Sequence, residues 1–84
     1  MKKYYHVRLK TRFANFKMAD GTMSREHDFI TDVDDCGSEF QNRVNACTKA
    51  IMTIWPDPGV ASLYLEPRNG IEIWPANRLR ASAR

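Results

Sequence analysis

Residues 4–13 read Tyr4-Tyr5-His6-Val7-Arg8-Leu9-Lys10-Thr11-Arg12-Phe13. Tyr5, Val7, Leu9, Thr11 and Phe13 fall on one parity; Tyr4, His6, Arg8, Lys10 and Arg12 fall on the other. Successive side chains of a strand point to opposite faces, so this alternation predicts a half-buried β-strand. Ala19-Asp20-Gly21 follows as a tight turn, with Gly21 free to take a positive φ. A second strand then runs through Phe29, Thr31 and Val33. A type I turn with Gly21 as bulge residue sets the register. Val7 then meets Val33, Leu9 meets Thr31 and Thr11 meets Phe29, while Arg8 meets Asp32 and Arg12 meets Asp28 on the other face. One face is thus mainly apolar and the other carries opposite charges, a pattern that specifies register.

Beyond this hairpin, Ser38-Glu39-Phe40-Gln41 fits a capping box, a serine hydroxyl for the exposed amides with glutamine three residues on. Phe40, Val44, Cys47, Ile51 and Ile54 follow at helical spacing and predict one apolar stripe facing the core. Trp55 closes the helix, and Pro56-Asp57-Pro58-Gly59 stops it. Val60 to Glu66 and Ile71 to Trp74 read as a second hairpin across Pro67-Arg68-Asn69-Gly70, with Leu63, Leu65, Ile71 and Ile73 inward and Tyr64, Glu66, Glu72 and Trp74 outward. The expected fold is α+β in the order ββαββ, one helix packed on a mostly antiparallel four-stranded sheet. Residues 1–75 form one domain and 76–84 a basic C-terminal tail.

Eighty-four residues with 43% hydrophobic content suffice for one small core. No apolar run approaches the roughly 18 residues of a membrane span, and Met1 to Leu9 carries charges and tyrosines where a signal peptide needs an apolar stretch. A cytoplasmic protein is expected, with Cys36 and Cys47 as reduced thiols. The net charge of +3 is uneven: residues 1–18 and 76–84 hold bases and no acid, and every acid lies between them. Such a layout fits nucleic-acid contact, or pairing of the two halves within the fold.

The open sheet face would gather Arg8, Lys10, Arg12, Tyr64 and Trp74. Basic side chains beside aromatics can hold phosphates and stack bases; alternatively the arginines pair with Asp28 and Asp32 across the strand. Tyr64 with Trp74, and Phe16 and Met18 near the hairpin tip, are residue types favoured at protein interfaces. Catalysis has little to stand on. His6 and His27 lie on opposite faces, Cys47 belongs to the helix stripe, and no histidine is tied by spacing to Cys36. Asp32, Asp34 and Asp35 read as loop and cap residues; no zinc spacing or phosphate loop occurs, so no metal or cofactor is expected.

A start of Met1-Lys2-Lys3-Tyr4-Tyr5 leading into a long hairpin, then one capped helix, then a short hairpin ending at Trp74, resembles the small inhibitor proteins encoded by bacteriophages, of the anti-CRISPR kind. The resemblance spans nearly the whole chain and is one of shape. It implies a non-enzymatic inhibitor that docks on a bacterial effector complex in the host cytoplasm and blocks its nucleic-acid binding or cleavage. The alternative is a small nucleic-acid-binding protein using the basic face and the arginine tail. Two hairpins also leave strand edges through which a homodimer could form.

Overall fold

A computed structural model describes residues 1–12, 16–17 and 23–76. These residues form β1 (Lys2–Lys10), β2 (Phe16–Lys17), β3 (Met23–Ser24), β4 (Glu26–Asp34), α1 (Glu39–Ile54), α2 (Ala61–Tyr64) and β5 (Ile71–Pro75), with a 3-10 turn at Pro58–Val60 before α2. The main sheet has three strands in the order β4-β1-β5, both neighbours antiparallel to β1. The short pair β2-β3 is separate. Class α+β and the single long helix hold; the four-stranded sheet and the ββαββ order do not.

The alternation over residues 4–11 is realised in full. Tyr5, Val7, Leu9 and Thr11 are each no more than 2% exposed, because β1 is flanked on both edges and roofed by α1. Burying a side chain such as Val7 or Leu9 contributes about 1.5–3 kcal/mol. On the same face of β4, Thr31, Phe29 and His27 stand opposite Tyr5, Val7 and Leu9, and Val33 stands opposite Lys3.

The expected register survives only at the hairpin tip, where Phe16 pairs with Ser24 and Lys17 with Met23. In the body, Val7 pairs with Phe29 and Arg8 with Asp28. Four residues, 12–15, separate the Thr11–Arg25 backbone contact from the Phe16–Ser24 pair on one strand, and none on the other. The offset is even, so the side chains of β1 and β4 keep their predicted faces even though their partners change. Thr11 is held twice at this break: its N–H donates to the Arg25 carbonyl at 2.7 Å, and Arg25 Nε donates to the Thr11 carbonyl at 3.1 Å. Thr11 also bridges to Leu65. The turn at Ala19-Asp20-Gly21 and the strand position of Phe13 lie outside the described residues.

Residues 60–66 do not form a strand. Asp57 Oδ1 accepts the Gly59 N–H at 3.0 Å, and the Val60 N–H reaches the Asp57 carbonyl at 3.0 Å, starting a helical turn. Ala61 then sits 3% exposed in the core, and Tyr64 stacks on buried Trp55 with centroids 5.9 Å apart. After the turn at residues 67–69, with Asn69 at φ 60°, the chain returns as β5 on the far side of β1. Gly70 is required there: a Cβ would collide with the Glu66 carbonyl.

α1 begins as predicted, Ser38 Oγ accepting the Gln41 N–H at 3.2 Å. Only half of the capping box forms, since the Gln41 side chain donates to Asn45 at 2.9 Å. The face toward the sheet is Asn42, Ala46 and Ala50, not the predicted stripe. Phe40 is 76% and Val44 40% exposed, with Cys47, Ile51 and Ile54 half-buried. Two contacts set this rotation. Lys49 Nζ reaches round the free edge of β4 to the Asp32 carbonyl at 2.8 Å and its carboxylate at 2.6 Å. Asn42 is locked into the preceding loop, donating to Asp35 at 3.1 Å and accepting the Cys36 N–H at 3.0 Å. The small alanines let the helix settle closely, and the stripe turns toward β5 by roughly 100°, one residue's rotation. Among the described residues, no helix is long and apolar enough to cross a membrane.

Candidate functional site on the open sheet face

The even-numbered residues of β1 and their partners build the face away from α1, in rows that run across three strands. Ile30, His6 and Trp74 form one row; Asp28, Arg8 and Glu72 form the next. Glu26 and Lys10 follow on one side, and Asp32 with Tyr4 on the other.

The row of Ile30, His6 and Trp74 is the apolar part. Ile30 is 46% and Trp74 41% exposed, and the His6 ring lies between their strands with its centroid 5.1 Å from that of Trp74. Arg8 covers the other side of Trp74, its guanidinium 5.5 Å from the ring centroid, a cation–π contact. The indole is therefore held from two sides while remaining open to solvent above.

Around this row the charges are paired. Asp28 Oδ1 accepts from Arg8 Nε at 2.9 Å and lies 3.0 Å from His6 Nε2. Burial alone would raise the Asp28 carboxyl, but the hydrogen bonds and charges of Arg8 and His6 outweigh it and hold the group below its ordinary value. Arg8 also stands 3.7 Å from Glu26 and 4.0 Å from Glu72, and Lys10 stands 3.5 Å from Glu72. Lys2 bridges Asp34 at 3.0 Å. Three cations on this face (Lys2, Arg8, Lys10) stand against five acids (Glu26, Asp28, Asp32, Asp34, Glu72), with Lys49 reaching round to Asp32. The face is not a basic surface.

The predicted site residues thus divide. Arg8, Lys10 and Trp74 stand together on the open face. Tyr64 does not join them, because it lies on α2 stacked against Trp55. Arg12 leaves the sheet, its Nε donating to the Leu65 carbonyl at 3.1 Å. Phe16 lies in the short β2, and Met18 lies outside the described residues. Asp32 does not face Arg8; it is taken by Lys49 and Lys2. Two members of the site were missed, Ile30 and His6. The signal for Ile30 was its parity: an apolar residue between Asp28 and Asp32 on an otherwise charged strand face.

The His6–Asp28 pair has the geometry of a base with its orienting carboxylate, yet the side chains beside it are Arg8, Trp74 and Ile30, none of them a nucleophile. Cys36 Sγ is engaged with Asn42 Oδ1 at 3.1 Å, and burial raises the Cys47 thiol. Asp35 accepts the Gly37 N–H at 2.9 Å, Asp32 is held by Lys49 and Lys2, and Lys2 also holds Asp34. No cluster of three or more potential metal ligands occurs among the described residues. A depression of about 340 Å3 lined by Lys10, Thr11, Arg25, Glu26 and Glu66 is spanned by the Arg25–Glu66 bridge at 2.6 Å. No protein-family model, curated protein or solved structure matches the chain.

Proposed function

We propose that the protein is a non-enzymatic binding module that docks its open sheet face on another protein, with Trp74 as the anchor. The observation that carries this reading is the half-exposed Ile30–His6–Trp74 row inside a rim of satisfied ion pairs. An apolar centre within a polar rim is the layout of a protein interface, and tryptophan and arginine dominate binding energy there. Trp74 costs little entropy on docking, since His6 and Arg8 already hold its ring. In the reading that the resemblance to phage inhibitors implies, the partner is a bacterial effector complex whose nucleic-acid binding or cleavage is blocked sterically.

The nucleic-acid alternative draws less support. Arg8 and Lys10 are compensated by carboxylates, Arg12 lies off the face, and no continuous basic track remains among the described residues. Phosphate contacts need uncompensated cations that release counterions.

The test is a pull-down from bacterial lysate with and without nuclease, using the parent protein and Trp74→Ala. The expected result is a protein partner that survives nuclease and is lost or weakened at least about tenfold by Trp74→Ala, a cost of about 1.4 kcal/mol or more. Loss of all bound material on nuclease treatment, with Trp74→Ala binding as the parent does, would overturn the reading in favour of nucleic acid.

A further inference from the structure

The two edges of the sheet are finished differently. At the β4 edge, Lys49 caps the outward Asp32 carbonyl and places a charge on the strand, a usual defence against further pairing. Among the described residues, the β5 edge carries no such charge across its backbone, and its one guard is Pro75 at the end of the strand. Hydrogen bonds from Ala76 N–H to the Tyr4 carbonyl and from Lys10 N–H to the Gly70 carbonyl show that the even-numbered residues of this segment bond to β1. Antiparallel strands alternate the direction of their backbone groups. Ile71 and Ile73 therefore turn their N–H and C=O outward, and Pro75 turns its C=O outward.

Beside this edge lies the helix stripe that the sheet does not cover. Lys49 faces β4, so the opposite side of α1, with Phe40, Val44, Cys47 and Ile51, overhangs β5 and the place a fourth strand would occupy. The stripe itself contains no charged side chain; Arg43, paired with Glu39 at 2.9 Å and set 6.0 Å from the Tyr5 ring, borders it on the sheet side. Below it, Ile71 is 39% exposed on the helix side of β5.

We propose that β5 pairs antiparallel with β5 of a second copy about a two-fold axis at Ile73, and that each copy's helix stripe roofs the partner's strand. The backbone groups fit this register. The two Ile73 residues exchange both bonds, and each Ile71 N–H donates to the partner's Pro75 carbonyl. The N–H that Pro75 lacks costs one bond per copy, leaving four. On the helix side Ile71 meets the partner's Pro75 and Ile73 meets its equivalent, all apolar. On the open face Glu72 meets the partner's Trp74, so no like charges are opposed.

Five residues of strand with the exposed stripe amount to on the order of 1,000 Å2 buried in total, the lower end for a specific interface, so a micromolar dimer is expected.

Sedimentation equilibrium of the full chain from about 1 to 300 µM tests this. The parent should move from monomer to dimer across that range. Phe40→Glu, at an exposed site, and Ile71→Pro, which removes an outward N–H at a residue 39% exposed, should each raise the dissociation constant at least about tenfold. Circular dichroism should show both variants folded at low concentration. A parent that stays monomeric throughout overturns the proposal, as does a dimer that neither variant weakens. A monomer whose melting temperature drops with Phe40→Glu also overturns it, because the stripe is then covered within the chain. Phe40 on α1 and Ile71 on the helix side of β5 lie away from the open-face row of Trp74, so failure here is distinct from failure of the binding reading.

Discussion

His27 is 4% exposed, on the helix side of β4, and opposes Leu9. Burial lowers its pKa, with only a partial counter-effect from Asp28. The sign follows from linkage. The folded state resists protonation that the unfolded chain accepts near its ordinary value of about 6.5. The contribution of neutral His27 is thus complete above that value and is lost as pH falls through it. His27→Gln keeps a polar side chain of similar size and removes the titration. The parent's melting temperature should fall relative to that of His27→Gln between about pH 7.5 and about pH 5.5, one unit either side of the ordinary value. Parallel curves for the two proteins would show that His27 is protonated as readily in the fold as outside it. His6 shares none of this environment, since it sits on the other face against Asp28 and Trp74. The same residue type serves a core in one place and a surface row in the other.

At the scale of elements, α1 shows how a correct element can be placed with the wrong face inward. The sheet takes Asn42, Ala46 and Ala50, so Ala46→Asp should unfold the domain, putting an unpaired charge where exposure is 0%. Val44→Asp, at a 40% exposed site, should change stability by no more than about 0.5 kcal/mol. Urea melts of the two variants check this, and equal losses would return Val44 to the core. The helix itself was legible, from Ser38 as cap to Pro56 as stop, because caps and breakers are local chemistry. Its rotation was not, because Lys49 reaching Asp32 and Asn42 reaching Asp35 are contacts made only after folding. Similarly, β1 and β4 and the face of each side chain were readable from period-two alternation. The partner of each was not, because four residues enter at 12–15 without changing parity. Residues 60–66 carry an alternation of Leu63 and Leu65 that mimics a strand, but Ala61 and Leu65 also stand one helical turn apart. The candidate site inherits both outcomes: Arg8, Lys10 and Trp74 were placed by parity, Tyr64 was misplaced with the strand that did not form, and Arg12 lies past the end of β1, bonded to the Leu65 carbonyl.

The whole molecule hangs on β1, which among the described residues is the only strand with a partner on both edges of the main sheet. One neighbour, β4, is reached through a local hairpin; the other, β5, returns only after some sixty residues. The returning strand completes the open face by adding Trp74 and Glu72, and it completes the core by adding Ile73. If β5 pairs with a second copy, the two open faces also become one, with a Trp74 from each. Gly70 is where this closure can be tested. An alanine there would drive its Cβ into the Glu66 backbone, so the turn must distort or β5 must lift from Lys10. A clash against backbone costs about 1–3 kcal/mol, a large share of the stability of so small a domain. Because β1 is shared, the loss should be felt across the sheet. Hydrogen exchange on Gly70→Ala should show faster exchange at Thr31 and Val33 of β4 as well as along β1, in one cooperative step. Protection in β4 that stays at the parent's level while the β1–β5 amides exchange freely would show that the hairpin and helix stand without β5, and that Trp74 is carried on a separable strand rather than on the core of the fold.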